Sequence, residues 1–233
     1  MQLEASQAVA EPMRGAPEAQ TFAVSPSLVT LSRPNDEAAE AIRALRTHVM
    51  AQHVVLGRRA LSVCAASPGV GCTYVAANLA VAMSQIGIKT LLIDGNLREP
   101  GLDSLIRPSS PSPGLQQYLS SDDDFGSGFR AEIDVLPNLS LMFAGGASRN
   151  PHELLAMGRF EVLMNACLRD FELTIVDTPP ANSCSDARRV SSVLGYSMVV
   201  ARRNHSRVED LKTLVGQLQG DGVKVIGTVL NEF

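Results

Sequence analysis

Short apolar segments alternate with helix-like segments along most of this 233-residue sequence, and this alternation restricts the available folds. Apolar strands that alternate with helices indicate a parallel sheet covered by helices on both faces. We therefore predict an α/β fold with a doubly wound, mostly parallel sheet, whose ligands bind at the carboxyl ends of the strands. The predicted strands span 61–65, 89–94, 139–143, 172–177, 198–201 and 223–230. The predicted helices span about 36–52 (with Asn35 or Asp36 as cap), 73–86, 151–170, 185–194 and 208–219.

Composition divides the chain into a tail and one domain. Residues 1–33 are rich in Ala, Pro, Ser, Gln and Glu and show no regular apolar period, which predicts a disordered tail. The alternative is a segment that becomes ordered on a partner. Residues 34–233 have the length of a single domain with a full core. Within that domain, residues 100–137 are rich in Pro, Ser, Gly and Asp, and are predicted to form a long, partly mobile excursion.

Charge and cysteine usage exclude several classes of function. The net charge of −4 argues against nucleic-acid binding, which needs a basic stripe. The four cysteines form no CxxC pair and have no metal-ligand spacing with histidine, which argues against a zinc site. This cysteine usage fits a protein of the reducing cytoplasm. No apolar run reaches 18 residues and no secretory signal is visible. We therefore expect a cytoplasmic chain with no membrane span.

A glycine-containing segment follows the first predicted strand and has the pattern of a phosphate-binding loop. Glycines allow successive N–H groups to face one anion, and the following helix adds unpaired donors and a positive dipole end. The match to G-x-x-x-x-G-K-[ST] is incomplete, because Ala66 replaces the first glycine and Cys72 the lysine. Alone, the segment also fits an ordinary glycine-rich turn. The residues predicted to bind ATP or ADP are Ser67, Pro68, Gly69, Val70, Gly71, Cys72, Thr73 and Tyr74.

Two predicted strands end in a carboxylate. Asp94 follows three apolar residues and Asp177 ends the strand that leads into Thr178-Pro179. Mg²⁺ prefers one or two carboxylates together with waters and phosphate oxygens. We therefore predict that Thr73, Asp94 and Asp177 form a Mg²⁺ site beside the phosphates. The alternative is that these aspartates cap the segments that follow them.

Five stretches together resemble the bacterial tyrosine kinases of capsule and exopolysaccharide systems (BY-kinases): SPGVGCTYVAANLA, LLIDGNLREP, VDTPP, AGGASRNPHELL and VIGTVLN. The resemblance covers roughly residues 36–232. Within the family, the chain most resembles the CpsD/CapB/EpsG-like members. The resemblance implies a P-loop NTPase of the deviant Walker A, partition-ATPase-like type that transfers phosphoryl groups from ATP to tyrosine. It also implies a Wzz-like membrane chain-length regulator as partner, recruitment to the inner membrane, and control of exopolysaccharide polymerisation and export.

The resemblance further implies a Glu-x-x-Arg-x-x-Arg helix that contacts a neighbouring copy in a ring. Here the pattern reads Glu40, Arg43 and Arg46, and spacings of three place these residues on roughly one helix face. A homo-oligomer is therefore expected. The alternative is an ordinary solvated face.

Departures from the family pattern lead us to predict weak or lost kinase activity. Cys72 stands in place of the lysine, and losing one such charge costs about 2–4 kcal/mol in a transition state. The family's I-D-x-D stretch has two catalytic aspartates. In this chain Asp94 keeps the first carboxylate, and Asn96 replaces the second. Asparagine can coordinate a metal but cannot act as a base. The tyrosine-rich tail of the family's autokinases is also not expected, since the tyrosines are Tyr74, Tyr118 and Tyr196.

Three functional hypotheses therefore remain open. The first is a nucleotide-binding regulator that works with the membrane protein. The second is an active autokinase that recruits a substitute cation, such as Arg98 or a neighbour's arginine. The third is a partition-type ATPase, although that group carries a second lysine where this chain has Ser67. Separately, a thiol at a helix N-terminus can have a lowered pKa, so Cys72 could be reactive.

Overall fold

The computed structural model describes residues 21–110, 113–121 and 132–232. Nine strands occur in these ranges: β1 (Phe22–Val24), β2 (Ala60–Cys64), β3 (Thr90–Asp94), β4 (Ile106–Pro108), β5 (Glu132–Leu136), β6 (Leu139–Met142), β7 (Leu173–Asp177), β8 (Tyr196–Arg202) and β9 (Lys224–Asn231). Seven of them form a central sheet in the order β5-β6-β3-β7-β2-β8-β9. β1 and β4 form a separate antiparallel ribbon.

The central sheet is mostly parallel, which confirms the predicted fold class. Only the pairing of β5 with β6 at one edge is antiparallel among the described strands. Every residue of β2, β3 and β7 is buried, as expected for central strands covered on both faces. Because these strands are parallel, their carboxyl ends lie at one edge of the sheet, which we call the carboxyl edge.

Helices cover both faces of this sheet. They are α1 (Val29–Ser32), α2 (Glu37–Gln52), α3 (Cys72–Ser84), α4 (Leu115–Ser120), α5 (Pro151–Ala156), α6 (Gly158–Asp170), α7 (Asp186–Leu194) and α8 (Val208–Gly220), with 3-10 turns at Val54–Leu56 and Leu102–Ser104. The single helix predicted for 151–170 is wrong. Met157 has an extended backbone (φ −65°, ψ 146°) and precedes Gly158, a residue of low helix propensity. The break lets α5 pack against α4 and α7, while α6 packs on β7. No helix of the described ranges combines the length and the apolar character needed to cross a membrane.

The N-terminal segment 21–33 differs from the predicted disordered tail. It forms β1 and α1, and Leu28 and Val29 are buried against the core. Asn78 of α3 donates a hydrogen bond to the Ser27 carbonyl at 3.1 Å. Residues 21–33 therefore pack on the domain predicted for residues 34–233, because Leu28 and Val29 supply apolar contacts that average composition does not show. Residues 1–20, the rest of the predicted tail, lie outside the described residues.

The predicted excursion over residues 100–137 contains regular structure where the chain is described. The Leu115 N–H donates to the Phe143 carbonyl at 2.8 Å, which ties α4 to the end of β6. At Gly114 a Cβ atom would lie 2.2 Å from the same carbonyl oxygen, so only glycine fits this contact. Residues 111–112 and 122–131 of the excursion lie outside the described residues.

Candidate functional site

The predicted phosphate loop, residues 66–73, connects β2 to α3 at the carboxyl edge. Gly69 (φ +72°) and Gly71 (φ +87°) have left-handed backbones, which glycine adopts without steric cost. Within the described part of the chain, the N–H groups of residues 69–73 donate to no other residue. Together with the start of α3, they form a group of free donors of the kind that binds phosphate.

The carboxylates of Asp94 and Asp177 lie side by side at this edge. Parallel pairing of β3 with β7 places the two residues directly opposite each other, and both are buried. Thr73 Oγ1 donates to Asp177 Oδ2 at 2.5 Å. The three residues predicted for Mg²⁺ are therefore brought together, although 104 positions separate Thr73 from Asp177 in sequence.

Asp177 has an unusual environment for a carboxylate. Burial raises its pKa above the ordinary value, and the neighbouring charge of Asp94 raises the pKa further, while the Thr73 hydrogen bond opposes the shift. Its Oδ1 atom is buried and has no hydrogen-bond partner among the described residues. A free carboxylate oxygen beside a hydroxyl group is a donor set that suits Mg²⁺. Thr73 and Asp177 therefore fit the ion.

Asp94 has a different set of contacts. Its Oδ1 accepts the Asn96 N–H at 3.1 Å, and its Oδ2 accepts the N–H groups of Gly101 and Leu102, both at 3.0 Å. Burial raises the pKa of Asp94, and these three hydrogen bonds partly offset that shift. Asp94 thereby holds the loop 95–102 against the site, where a Cβ on Gly101 would lie 3.2 Å from Thr73 Oγ1. A direct metal contact by Asp94 stays a prediction.

Asn96 and Cys72 occupy the two altered catalytic positions. Asn96 Oδ1 accepts the Glu99 N–H at 3.1 Å, so this side chain stabilises a turn in the loop. Cys72 is half-buried at the first position of α3. Burial, followed by the nearby Asp177, raises the pKa of Cys72 well above its usual value. The suggestion of a lowered pKa is therefore wrong, because burial and the carboxylate outweigh the helix N-terminus.

Lys89, Lys224 and Arg98 do not supply the missing cation. Lys89 and Lys224 lie at the amino ends of β3 and β9, at the edge of the sheet opposite the phosphate loop. Arg98, the suggested substitute, binds the buried Asp186 carboxylate at 2.7 and 3.3 Å. Its charge is therefore directed to Asp186. One residue that sequence reasoning missed is Arg202, whose Nη1 donates to the Gly69 carbonyl at 3.0 Å.

Tyr74 lies in the first turn of α3, and the predicted oligomer contact lies on α2, which packs against α3. The Tyr74 side chain packs against the cluster of Val29, Ala39, Ile42 and Ala82, so a nucleotide contact through its ring is not supported. On α2, Arg43 forms an ion pair with Glu40 at 2.7 Å and donates to the Pro34 carbonyl. Arg46 forms no ion pair with another described residue. The oligomer contact of Glu40, Arg43 and Arg46 stays a prediction.

A cavity of about 680 Å³ adjoins Asp94 on the side away from the phosphate loop. Its wall includes Asp103 and Arg107 from the excursion and the loop 143–147 after β6. Sequence reasoning missed this cavity, because a segment rich in Pro and Ser carries no signal of what it packs against.

Comparisons with known proteins identify the family. The solved kinase domain of the Escherichia coli tyrosine kinase ETK has a TM-score of 0.78 to this structure and 30% sequence identity, over 88% of this chain and 79% of that one. This chain belongs to the bacterial tyrosine kinase family. Its relatives include the putative tyrosine-protein kinase AmsA of Erwinia amylovora (31% identical over 204 residues) and the putative tyrosine-protein kinase CapB of Staphylococcus aureus (28% over 210 residues).

The coverage of these relatives differs. The aligned part is 88% of this chain but 28% of AmsA, whereas it is 90% of this chain and 90% of CapB. No family model matches the chain. The septum site-determining protein MinD of Pyrococcus horikoshii, solved in complex with Mg-ADP, has a TM-score of 0.61 over 74% of this chain and 69% of that one. At 18% identity this likeness shows the fold alone, a mixed α/β fold with a mostly parallel central sheet.

Proposed function

We propose that this member of the bacterial tyrosine kinase family binds ATP or ADP with Mg²⁺ and has weak or lost kinase activity. The observation that carries the proposal is the hydrogen bond from Thr73 to the buried Asp177, beside the free N–H groups of the phosphate loop. The donors suit phosphate oxygens, and the unpaired Asp177 oxygen suits Mg²⁺. Bound Mg²⁺ would supply positive charge beside the phosphates.

The loss of activity is inferred from three groups at the same site. Cys72 is neutral because its pKa is raised, so it contributes no charge to a developing phosphate. The Asn96 oxygen is engaged by the Glu99 N–H, and an amide cannot take a proton from a tyrosine hydroxyl. Arg98 is held by Asp186. Phosphoryl transfer relies on positioning and on the stabilisation of negative charge. We therefore expect these three features to lower the rate of phosphoryl transfer.

The biological role that we infer is control of exopolysaccharide polymerisation and export. In this role residues 34–233, extended by the docked segment 21–33, act as one nucleotide-binding domain in the cytoplasm. A Wzz-like membrane chain-length regulator would be the partner that recruits it to the inner membrane. Homo-oligomerisation would use the exposed face of α2 with Glu40, Arg43 and Arg46. Nucleotide occupancy would then shift assembly on the partner.

A second candidate function, residual tyrosine kinase activity, is favoured by the cavity beside Asp94. The volume of about 680 Å³ exceeds what one tyrosine side chain needs, and the wall offers Arg107, Asp103 and serine hydroxyls to an extended peptide. An acceptor hydroxyl in this cavity would approach the phosphates past Asp94. In this candidate the cation would come from a neighbouring copy.

Phosphotyrosine detection after incubation with ATP and Mg²⁺ separates the two candidates. We expect little or no signal from the wild-type chain and from Cys72→Ala, and none from an inactive control, Asp94→Asn. Cys72→Lys is expected to gain activity, because the lysine restores the charge beside the phosphates. Robust phosphorylation by the wild-type chain, absent in Asp94→Asn, would overturn the first candidate in favour of the second.

A further inference from the structure

Three side chains from the carboxyl ends of β8 and β9 hold the outer side of the phosphate loop. Each bonds to one of three consecutive loop carbonyl oxygens. The pairs are His205 Nε2 with Pro68 at 3.0 Å, Arg202 Nη1 with Gly69 at 3.0 Å, and Asn231 Nδ2 with Val70 at 2.9 Å. We call these three side chains the carbonyl clamp.

The carbonyl clamp fixes the direction of the loop's donors. The described peptide bonds contain no cis bond, so each carbonyl points opposite to the N–H of the next residue in the same plane. Holding the carbonyls of residues 68, 69 and 70 on the outer side therefore turns the N–H groups of residues 69, 70 and 71 toward the inner side. These are among the N–H groups that donate to no other described residue.

The clamp also changes the electrostatics of the loop. A hydrogen bond to a carbonyl oxygen polarises its peptide group and makes the attached N–H a stronger donor. The bond from Arg202 is charge-assisted, so this effect is largest there. The backbone of Arg202 is also held, since its N–H donates to Ser206 Oγ at 2.9 Å. A positive charge thus lies directly behind a loop that lacks its lysine.

We propose that Arg202, His205 and Asn231 are positioning residues for phosphate binding, and that Arg202 offsets part of the charge missing at Cys72. The proposal rests on the proposed nucleotide function. It concerns the phosphates and not the base, because the clamped peptide groups supply only N–H donors. Its effect should therefore be equal for any ligand that presents two linked phosphates to the loop.

Calorimetric titration with Mg-ADP and with Mg-pyrophosphate tests the clamp. We expect Arg202→Gln to bind both probes roughly tenfold more weakly, which corresponds to about 1.4 kcal/mol. Arg202→Lys, which keeps the charge, should recover most of this loss. Asn231→Asp, at the end of β9, replaces the hydrogen-bond donor by an acceptor. It should weaken the binding of both probes as well. Arg203→Gln is the matched control, because Arg203 pairs with Glu232 and does not contact the loop.

The outcomes separate the inference from the function on which it rests. Wild-type binding of both probes that persists unchanged in Arg202→Gln and Asn231→Asp overturns the inference alone. A loss seen with Mg-ADP but not with Mg-pyrophosphate also overturns it, because the side chains would then act on the nucleoside. If the wild-type chain binds neither probe, the proposed function and the inference both fail. Melting temperatures of all variants show which of them are folded. Because Arg202 lies on β8 and Asn231 on β9, a variant that fails to fold on one strand leaves the other as an independent test.

Discussion

Thr73 and Asp177 form a 2.5 Å hydrogen bond between the phosphate loop and the end of β7, and the second oxygen of Asp177 has no described partner. The contact keeps a carboxylate with a raised pKa beside the free donors of the loop. A cation bound there would remove the unfavourable burial of this charge. The pair therefore links the stability of the unliganded chain to its affinity for Mg²⁺ and nucleotide.

Removal of the Thr73 hydroxyl should uncouple nucleotide binding from Mg²⁺. We expect Thr73→Ala to bind Mg-ADP about tenfold more weakly, because one metal-facing oxygen and the hydrogen bond to Asp177 are lost. Binding of ADP in the presence of EDTA should change little. Thr73→Ser, which keeps the hydroxyl, is the control and should resemble the wild type. Equal Mg²⁺ dependence in Thr73→Ala and Thr73→Ser would show that the hydroxyl does not serve the metal.

Replacement of Asp177 by asparagine should stabilise the unliganded chain at alkaline pH. The folded-state pKa of Asp177 is raised, so the folded chain is penalised once this carboxylate ionises. The free energy of unfolding should therefore fall as pH rises from the unfolded pKa, near 4, through the raised folded pKa. We expect Asp177→Asn to remove the part of this fall that Asp177 causes and to gain about 1–3 kcal/mol at pH 8. Urea denaturation of both proteins at pH 5 and pH 8 measures the difference.

The control for this measurement is saturating Mg-ADP. Ligand should stabilise the wild type at pH 8 and should have little effect on Asp177→Asn. Identical pH profiles for the two unliganded proteins would contradict the electrostatic account of Asp177.

Cys72 should react slowly with thiol reagents at neutral pH. Its pKa is raised by burial and by Asp177, so little thiolate is present, and thiolate is the reactive form. We expect the fast part of the labelling time course at pH 7 to be the same for the wild type and Cys72→Ala. The wild type should differ only by one additional thiol that is labelled slowly. A fast phase that disappears in Cys72→Ala would instead support a redox role for this thiol.

Two glycine substitutions test the packing of α4 against the end of β6. Gly114→Ala should lower the free energy of unfolding by about 1–3 kcal/mol, because its Cβ would lie 2.2 Å from the Phe143 oxygen. Gly158→Ala is the matched control in α6, where nothing lies within 4 Å of the added atom. It should be neutral or stabilising by up to about 1 kcal/mol. Equal effects of the two substitutions in thermal denaturation would contradict the described contact.

The core of the site could be predicted from the sequence because it depends on local patterns. Apolar runs that end in Asp94 and Asp177 locate two strand ends, and parallel strands bring their ends to the same edge. The glycines around Val70 indicate the loop for a similar local reason. The pairing of Asp94 with Asp177 then follows from the sheet order, with β3 beside β7.

The remaining features depend on contacts that no local pattern encodes. Arg202 and Asn231 reach the loop across 133 and 161 residues, and their own surroundings in sequence resemble any strand end. The docking of residues 21–33 rests on Leu28 and Val29, which average composition conceals. The raised pKa of Cys72 reflects burial and Asp177, which oppose the helix effect that the sequence suggested.

The most direct test of the account is calorimetric titration of the wild-type chain and Cys72→Lys with ADP, each with Mg²⁺ and with EDTA. We expect the wild type to bind Mg-ADP, to bind ADP more weakly in EDTA, and to gain about tenfold or more in affinity with the added lysine. This result would show that the Thr73 and Asp177 site still binds nucleotide without a lysine in its loop. Undetectable binding in both proteins would contradict it.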